Sequence, residues 1–201
     1  MPSSTTRGHA RRRRGLTLVE LLLGMAVTGL IGAALAAMLV SVAYGTSSEA
    51  HLRRLAIKAE LLSSRIETSI RSSYRLLASS DTAMVIWMFD ANEDGEVNVS
   101  ELRRIVYDAD TDTLWSYRAP DDISDGADTG YTLDTDFESV TAALAGGSTF
   151  PGERWADGVS AWSHSSNGVA VTDTTLITFR FTVTQEGQAE PGGGSASFRS
   201  Y

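Results

Sequence analysis

Residues 14–44 read RGLTLVELLLGMAVTGLIGAALAAMLVSVAY. Between Glu20 and Glu49 there is no charged side chain, so residues 21–48 form one uncharged, mostly apolar run. About twenty apolar residues, rising 1.5 Å each as a helix, cross the ~30 Å hydrocarbon core of a bilayer. Arg7 and Arg11 to Arg14 precede the run, and no Lys or Arg follows until Arg53. By the positive-inside rule that asymmetry places the N-terminus in the cytoplasm. A cleaved secretory signal would have a shorter apolar region followed by a small-residue cleavage site. Ala-Leu-Ala at 34–36 offers such a site, so the apolar pattern alone leaves both readings open. Glu20 decides between them, because a carboxylate at the edge of an apolar helix is costly unless it is paired.

Working outward, the formal charge of −8 conceals an uneven distribution. The leader, 1–15, carries +5; residues 16–44 carry −1; 45–78 carry +3; and 79–201 carry −15. Residues 16–201 together carry −13. A basic start, an apolar span and an acidic end describe a membrane protein with a soluble acidic head. That acidity argues against a nucleic-acid partner. With no cysteine, disulfides, thiolate catalysis, zinc ribbons and iron–sulfur ligation are excluded. Three histidines and no glycine-rich loop ending in Gly-Lys-Ser/Thr remove His-rich metal sites and P-loops.

The stretch Arg-Gly-Leu-Thr-Leu-Val-Glu at 14–20 resembles the signature of the type IV prepilin and pseudopilin family. That signature is a basic leader ending in Gly, then a hydrophobic residue, Thr, Leu, an aliphatic residue and Glu, running into a long apolar helix. The resemblance implies that a prepilin peptidase cuts between Gly15 and Leu16 on the cytoplasmic side and methylates the new amine of Leu16. Glu20 would then be the fifth residue of the mature chain. Leu16 departs from the more usual Phe, and the resemblance covers only about thirty residues of the chain. It further implies that Glu20 pairs with the free amine of a neighbouring subunit. Such a buried pair sets axial register more than it adds stability. Gly24, Gly29, Gly32 and Ala33 would let neighbouring helices approach closely.

After Gly45, Leu52, Leu55, Ala59, Leu62, Ile66, Ile70, Tyr74 and Leu77 recur at steps of three and four. This stripe predicts an amphipathic helix over 45–78, with the basic residues largely off it. From Ser79 the period shifts to two. Residues 83–89 (AMVIWMF) read as a central strand, 103–108 and 113–118 as a hairpin about the turn 109–112, and 176–184 as another strand, with 169–171 a candidate start for it. Residues 120–136 read as a long loop, 137–144 as a short helix ending at Gly146–Gly147, and 191–195 (PGGGS) as a turn or flexible tip; 196–201 look strand-like. A helix followed by strands implies an α+β fold: a long N-terminal helix, half membrane-spanning and half amphipathic, packed on an antiparallel β-sheet head.

The head holds one specific motif. Residues 90–101, DANEDGEVNVSE, fit D-x-[DN]-x-[DN]-G-x5-E without a mismatch. Ca2+ needs six to eight oxygens, and Asp90, Asn92 and Asp94, the Glu96 carbonyl and a bidentate Glu101 would supply them around a sharp turn at Gly95. Because the flanks are strand-like, the expectation is one structural Ca2+ in an isolated loop between strands. Asp108, Asp110 and Asp112 also alternate, but a hairpin turn explains them. No G-x-S-x-G, H-E-x-x-H or Cys/His pair is present. Glu153 near Trp155, and Trp162 near His164, suggest a sugar cleft only weakly; aromatic core and loop positions explain them better.

The sequence therefore points to a non-catalytic, single-pass subunit of the bacterial inner membrane, its head periplasmic or extracellular, resembling a minor pseudopilin of type II secretion. Its partners would be other pseudopilin or pilin subunits, a prepilin peptidase, the inner-membrane assembly platform and membrane lipid. A minor pilin of a type IV or DNA-uptake pilus, and a membrane-anchored calcium-binding adhesion module, are the alternatives.

Overall fold

The computed structural model describes residues 17–90, 93–124 and 126–199, and of residues 43–48 the backbone alone. The order is α1 (Leu18–Arg71), β1 (Arg75–Ser79), β2 (Ala83–Trp87), β3 (Val97–Asn98), a 3-10 turn (Val99–Glu101), β4 (Leu102–Asp108), β5 (Thr113–Arg118), β6 (Gly130–Tyr131), α2 (Phe137–Leu144), β7 (Gly152–Asp157), β8 (Val159–Ser166), a second 3-10 turn (Val171–Asp173), β9 (Leu176–Gln185) and β10 (Gln188–Ser197). The fold is α+β with antiparallel sheets, as the sequence implies. Contacts divide the chain into two compact units, one up to Glu49 and one from Ala50 onward.

In the first unit Leu18–Val42 is helical, 25 residues long and apolar enough to cross a membrane. Every side chain described there is exposed, Leu18, Leu30 and Leu39 among the most. Nothing lies within 4 Å of a Cβ built on Gly24, Gly29 or Gly32. A helix that is apolar all round with its described side chains exposed suits a setting of lipid or other helices.

In the second unit α1 buries Leu55, Ala59, Leu62, Ile66 and Ile70, the inner part of the predicted stripe. The helix ends six residues before Leu77, a correction to the expectation that it runs through 78. It closes at Ser72 and Ser73: the Ser72 amide makes the last i→i−4 bond, to Thr68, the Ser73 amide tightens to Ile70, and both hydroxyls donate to the Ser69 carbonyl. Serines compete with helical bonding in this way. Beyond them the Tyr74 amide already bonds to the Trp87 carbonyl, and β1 pairs with β2. Tyr74 and Leu77 kept helical spacing by coincidence; neighbouring Leu76 is the one buried.

The single sheet expected from sequence is three sheets. Five strands run in the order β1-β2-β4-β5-β7, three in the order β10-β9-β8, and β3 pairs with β6. One core cluster joins α1 to Met84, Ile86, Ile105 and Leu114 of the large sheet and to Ile177, Phe179, Phe181 and Val183 of the three-stranded sheet. The large sheet's other face, with Val85, Trp87 and Leu102, packs against Phe137 of α2 and Phe150. With both faces covered, every residue of β2 is buried, which is why 83–89 reads as a continuous apolar run.

The hairpin β4–β5, the strand β9 and the helix α2 fall where the sequence places them. Two expectations fail. Residues 169–171 do not begin β9; they lead into the second 3-10 turn. Residues 191–195 lie inside β10, paired from Pro191↔Thr182 to Ser195↔Thr178. The Gly193 amide points away from β9 and donates to Ser63 Oγ on α1 at 3.2 Å. Pro191, two residues earlier, points the same way, so its missing N–H costs the ladder nothing. Gly194 admits the helix: a Cβ there would meet Glu67 Oε1 at 2.1 Å. Strands β7 and β8, which the sequence reading leaves unassigned, are rich in charged and hydroxyl residues because most of their positions are exposed. Residues 200–201 of the strand-like end lie outside the described residues.

Candidate functional site

Two places carry the residues singled out from sequence. The first is the start of α1. Gly15, Leu16 and the leader arginines lie outside the described residues; Thr17 and Glu20 lie within them. Thr17 caps the helix. Its amide donates to Glu20 Oε2 at 3.2 Å and its hydroxyl to the same oxygen at 3.3 Å. In return the Glu20 amide donates to Thr17 Oγ1 at 3.3 Å. This is the reciprocal T-x-x-E capping box, which satisfies donors that a helix start leaves open. The carboxylate also lies in the first turn, where the helix dipole favours negative charge. Thr17 was legible as a partner from its spacing to Glu20, which matches the Ser/Thr-x-x-Glu pattern. Glu20 Oε1 has no hydrogen-bond partner among the described residues, so the capping box uses one oxygen of the carboxylate.

The second place is the loop 90–101, of which Asn92 lies outside the described residues. Gly95 turns the chain at φ +75°, with Glu93 at φ +57° before it. Left-handed backbone favours glycine, which is what the motif supplies at the turn. Asp90 Oδ2 accepts the Gly95 amide at 3.1 Å, and Asp94 Oδ1 accepts the Glu96 amide at 2.7 Å. Asp90 Oδ1 is buried with no hydrogen-bond partner among the described residues. A buried carboxylate oxygen left unsatisfied is costly.

Glu101 is 1 % exposed. Its Oε2 accepts the Trp87 indole N–H at 3.0 Å and the Asn98 amide at 3.2 Å, completing a capping box on the first 3-10 turn. Asp128 holds the same turn from across the loop, accepting the Ser100 amide at 2.8 Å and hydroxyl at 2.7 Å. The Glu96 side chain turns away to lie against Gly130, where a Cβ would meet its Oε2 at 2.5 Å. Among the described residues no group of three or more His, Asp or Glu converges as a metal shell. The Asn98-x-x-Glu101 box was readable from sequence. The Trp87 and Asp128 partners were not, since they come from 14 and 28 residues away.

The remaining candidates serve local structure. Asp108 accepts the Asp110 amide and the Thr111 hydroxyl, and these bonds, the hydroxyl's first, hold its carboxyl below the usual range. Trp155 Nε1 meets Glu153 Oε2 at 3.3 Å, and Trp162 Nε1 donates to His164 Nδ1 at 3.1 Å. His164 Nε2 is 2.9 Å from Ser79 Oγ, which makes the ring a neutral Nε2–H tautomer. Burial lowers its pKa, with Asp81 and Glu138 opposing.

The family model for the prokaryotic N-terminal methylation motif matches residues 10–43. No curated protein and no solved structure matches the chain.

Proposed function

We propose, from the premise that this chain carries the type IV pilin and pseudopilin signature, that it is a non-catalytic structural subunit of a type II secretion pseudopilus. A prepilin peptidase cuts after Gly15 and methylates Leu16. The mature chain stands once through the bacterial inner membrane, with its acidic head outside the cytoplasm, until the assembly platform moves it into a filament. The observation that carries this reading is one helix start: an apolar span whose described side chains are exposed, opening on a Thr17–Glu20 capping box inside the matched motif. The large head favours a minor subunit. The span supplies helix packing, and Glu20 offers its open oxygen to the amine of a neighbour, in a setting where a partner offsets the cost of burying the charge. Mass spectrometry of the membrane-extracted protein tests the reading. The expected N-terminus is N-methylated Leu16; an intact leader would overturn it. Co-isolation with a secretin and secretion ATPase, rather than a surface pilus, tests the secretion assignment.

Within the same reading, loop 90–101 takes one Ca2+ through Asp90, Asn92, Asp94, the Glu96 carbonyl and Glu101. Support comes from the unbroken ligand spacing, the left-handed Gly95 and the unpartnered Asp90 Oδ1. Bidentate coordination by Glu101 exchanges at least one of its bonds to Trp87 or Asn98 for the ion. Titration of the full chain in detergent with millimolar Ca2+ should raise its melting temperature; no shift and no heat would remove the ion from the account.

A further inference from the structure

A positive cleft lies on the acidic head. Arg103 and Arg118 are cross-strand partners on β4 and β5, so two like charges stand directly opposite each other. Such pairs destabilise a sheet unless something between them neutralises the charge. Arg65 of α1 joins them: its guanidinium lies 5.5 Å from the centre of the Trp155 ring, and that of Arg103 lies 5.8 Å from it. The cleft these side chains line has a volume of about 460 Å3, within the range of ligand sites.

The chain does not neutralise this charge well. Arg103 donates through Nη1 to Ser69 Oγ at 2.8 Å, its Nε is buried with no partner, and it makes no ion pair among the described residues. Its pKa is lowered by burial first and then by Arg118; Glu153 opposes them, and Arg65 adds to the repulsion. Arg65 meets Glu153 at 3.4 Å and Arg118 meets Asp121 at 3.4 Å. Both carboxylates are well exposed, at 64 % and 89 %, and loose pairs of this kind exchange at little cost.

We propose that Arg65, Arg103, Arg118 and Trp155 form a binding site for carboxylates of an acidic peptide segment on a partner protein. Guanidinium forks suit planar carboxylates, and the two native carboxylates at the rim already show that chemistry in weak form. Exposed Leu61 and the Ser64 and Thr68 hydroxyls along the wall add the apolar and neutral polar contacts that a peptide uses and a bare anion does not. The occupant is an acidic segment of a second copy of this chain, which carries 21 acids in residues 79–201. The site does not depend on the pilin reading, and it stands or falls separately from the N-terminal test.

The test uses the full chain in neutral detergent, with tryptophan fluorescence as the signal and Trp155→Phe to assign it. The probe is an acetylated, amidated Asp-Glu-Asp-Glu peptide, with the Asn-Gln-Asn-Gln peptide, inorganic phosphate and phosphatidylglycerol vesicles as comparisons. The acidic peptide should bind saturably, weaken with salt, and lose at least tenfold in affinity in Arg118→Gln and Arg65→Gln. Arg118→Gln should also melt no lower than the parent, because it relieves the pair with Arg103. Equal binding of the amide peptide, unchanged affinity in both variants, response to vesicles or phosphate alone, or a lowered melting temperature in Arg118→Gln would overturn the proposal. With a dye-labelled acidic peptide, an excess of the Arg118→Gln chain, which keeps the acids and lacks the full site, should displace the peptide; no displacement would overturn a second copy as the occupant.

Discussion

Replacing Glu101 with Ala should destabilise the head more than any other single change in loop 90–101, even with no metal present. Two donors depend on its Oε2: the Trp87 indole at 3.0 Å and the Asn98 amide at 3.2 Å. Trp87 is 3 % and Asn98 7 % exposed, so water does not replace the lost acceptor. Each buried donor left unsatisfied costs about 1–3 kcal/mol, so the two together cost on the order of 2–6 kcal/mol. In a unit of this size 1 kcal/mol moves the melting temperature by roughly 2–4 °C, so a drop of about 4–24 °C is expected. Glu101→Gln keeps an oxygen for both donors and should lose only about 1 kcal/mol, the charge assistance. Melts of the full chain in detergent with EDTA, followed by tryptophan fluorescence, make the comparison. An Ala variant within about 2 °C of the parent, or a Gln variant falling as far as the Ala variant, would refute the reasoning. Calcium then adds a second axis. At ten to a hundred times its dissociation constant the ion stabilises the parent by about 1.4–2.7 kcal/mol. The Gln variant, which lacks the bidentate carboxylate, should keep its stability in EDTA and lose most of that gain.

Three further outcomes follow from the geometry. Glu20→Ala should leave membrane insertion intact, weaken the first turn of α1 by about 0.5–2 kcal/mol and impair incorporation into filaments; fractionation and cross-linking would show it, and normal incorporation would count against a role in pairing. Gly158→Ala should lower stability by on the order of 2–4 kcal/mol, since the residue sits at φ +65° and its new Cβ would lie 2.4 Å from the Thr184 carbonyl oxygen; an unchanged denaturation midpoint would contradict the close approach. Burial lowers the His164 pKa, so the unfolded chain takes up a proton there before the folded one does. Stability should be full above the unfolded pKa of about 6.5 and decline below it by at most ~1.4 kcal/mol per pH unit. His164→Gln should flatten that decline between pH 5 and 7, and an unaltered profile would remove His164 as its source.

The legible elements share a property: their signal lies within a few residues. The 137–144 helix has Asp136 as its N-cap, accepting the Ser139 amide, and Gly146 at φ +82° beyond its end. The 103–118 hairpin carries its own turn, with Asp108 bonding across it. The elements that were misread depend on distant partners. Residues 191–195 look like a flexible tip until β9 supplies a ladder on one side and Ser63 of α1 covers the other. Tyr74 and Leu77 fit the helical stripe, and only pairing with β2 makes their segment a strand. At the candidate sites the capping residues Thr17 and Asn98 were visible by spacing, whereas Trp87 and Asp128 became partners only through folding.

The sequence alone determined the apolar span, the basic leader, the carboxylate at the helix start and the acidic head, because hydrophobicity, charge and short-range spacing act without reference to a fold. Tertiary structure alone decided that α1 stops at Arg71, that a glycine-rich stretch is an edge strand, and that Glu101 is buried on Trp87. It also brought Arg65, Arg103 and Arg118, far apart in the chain, around one tryptophan. The reason is physical: a strand buries one face and bonds along its edges only when a neighbour is present, and a charge becomes costly only when other elements exclude water from it.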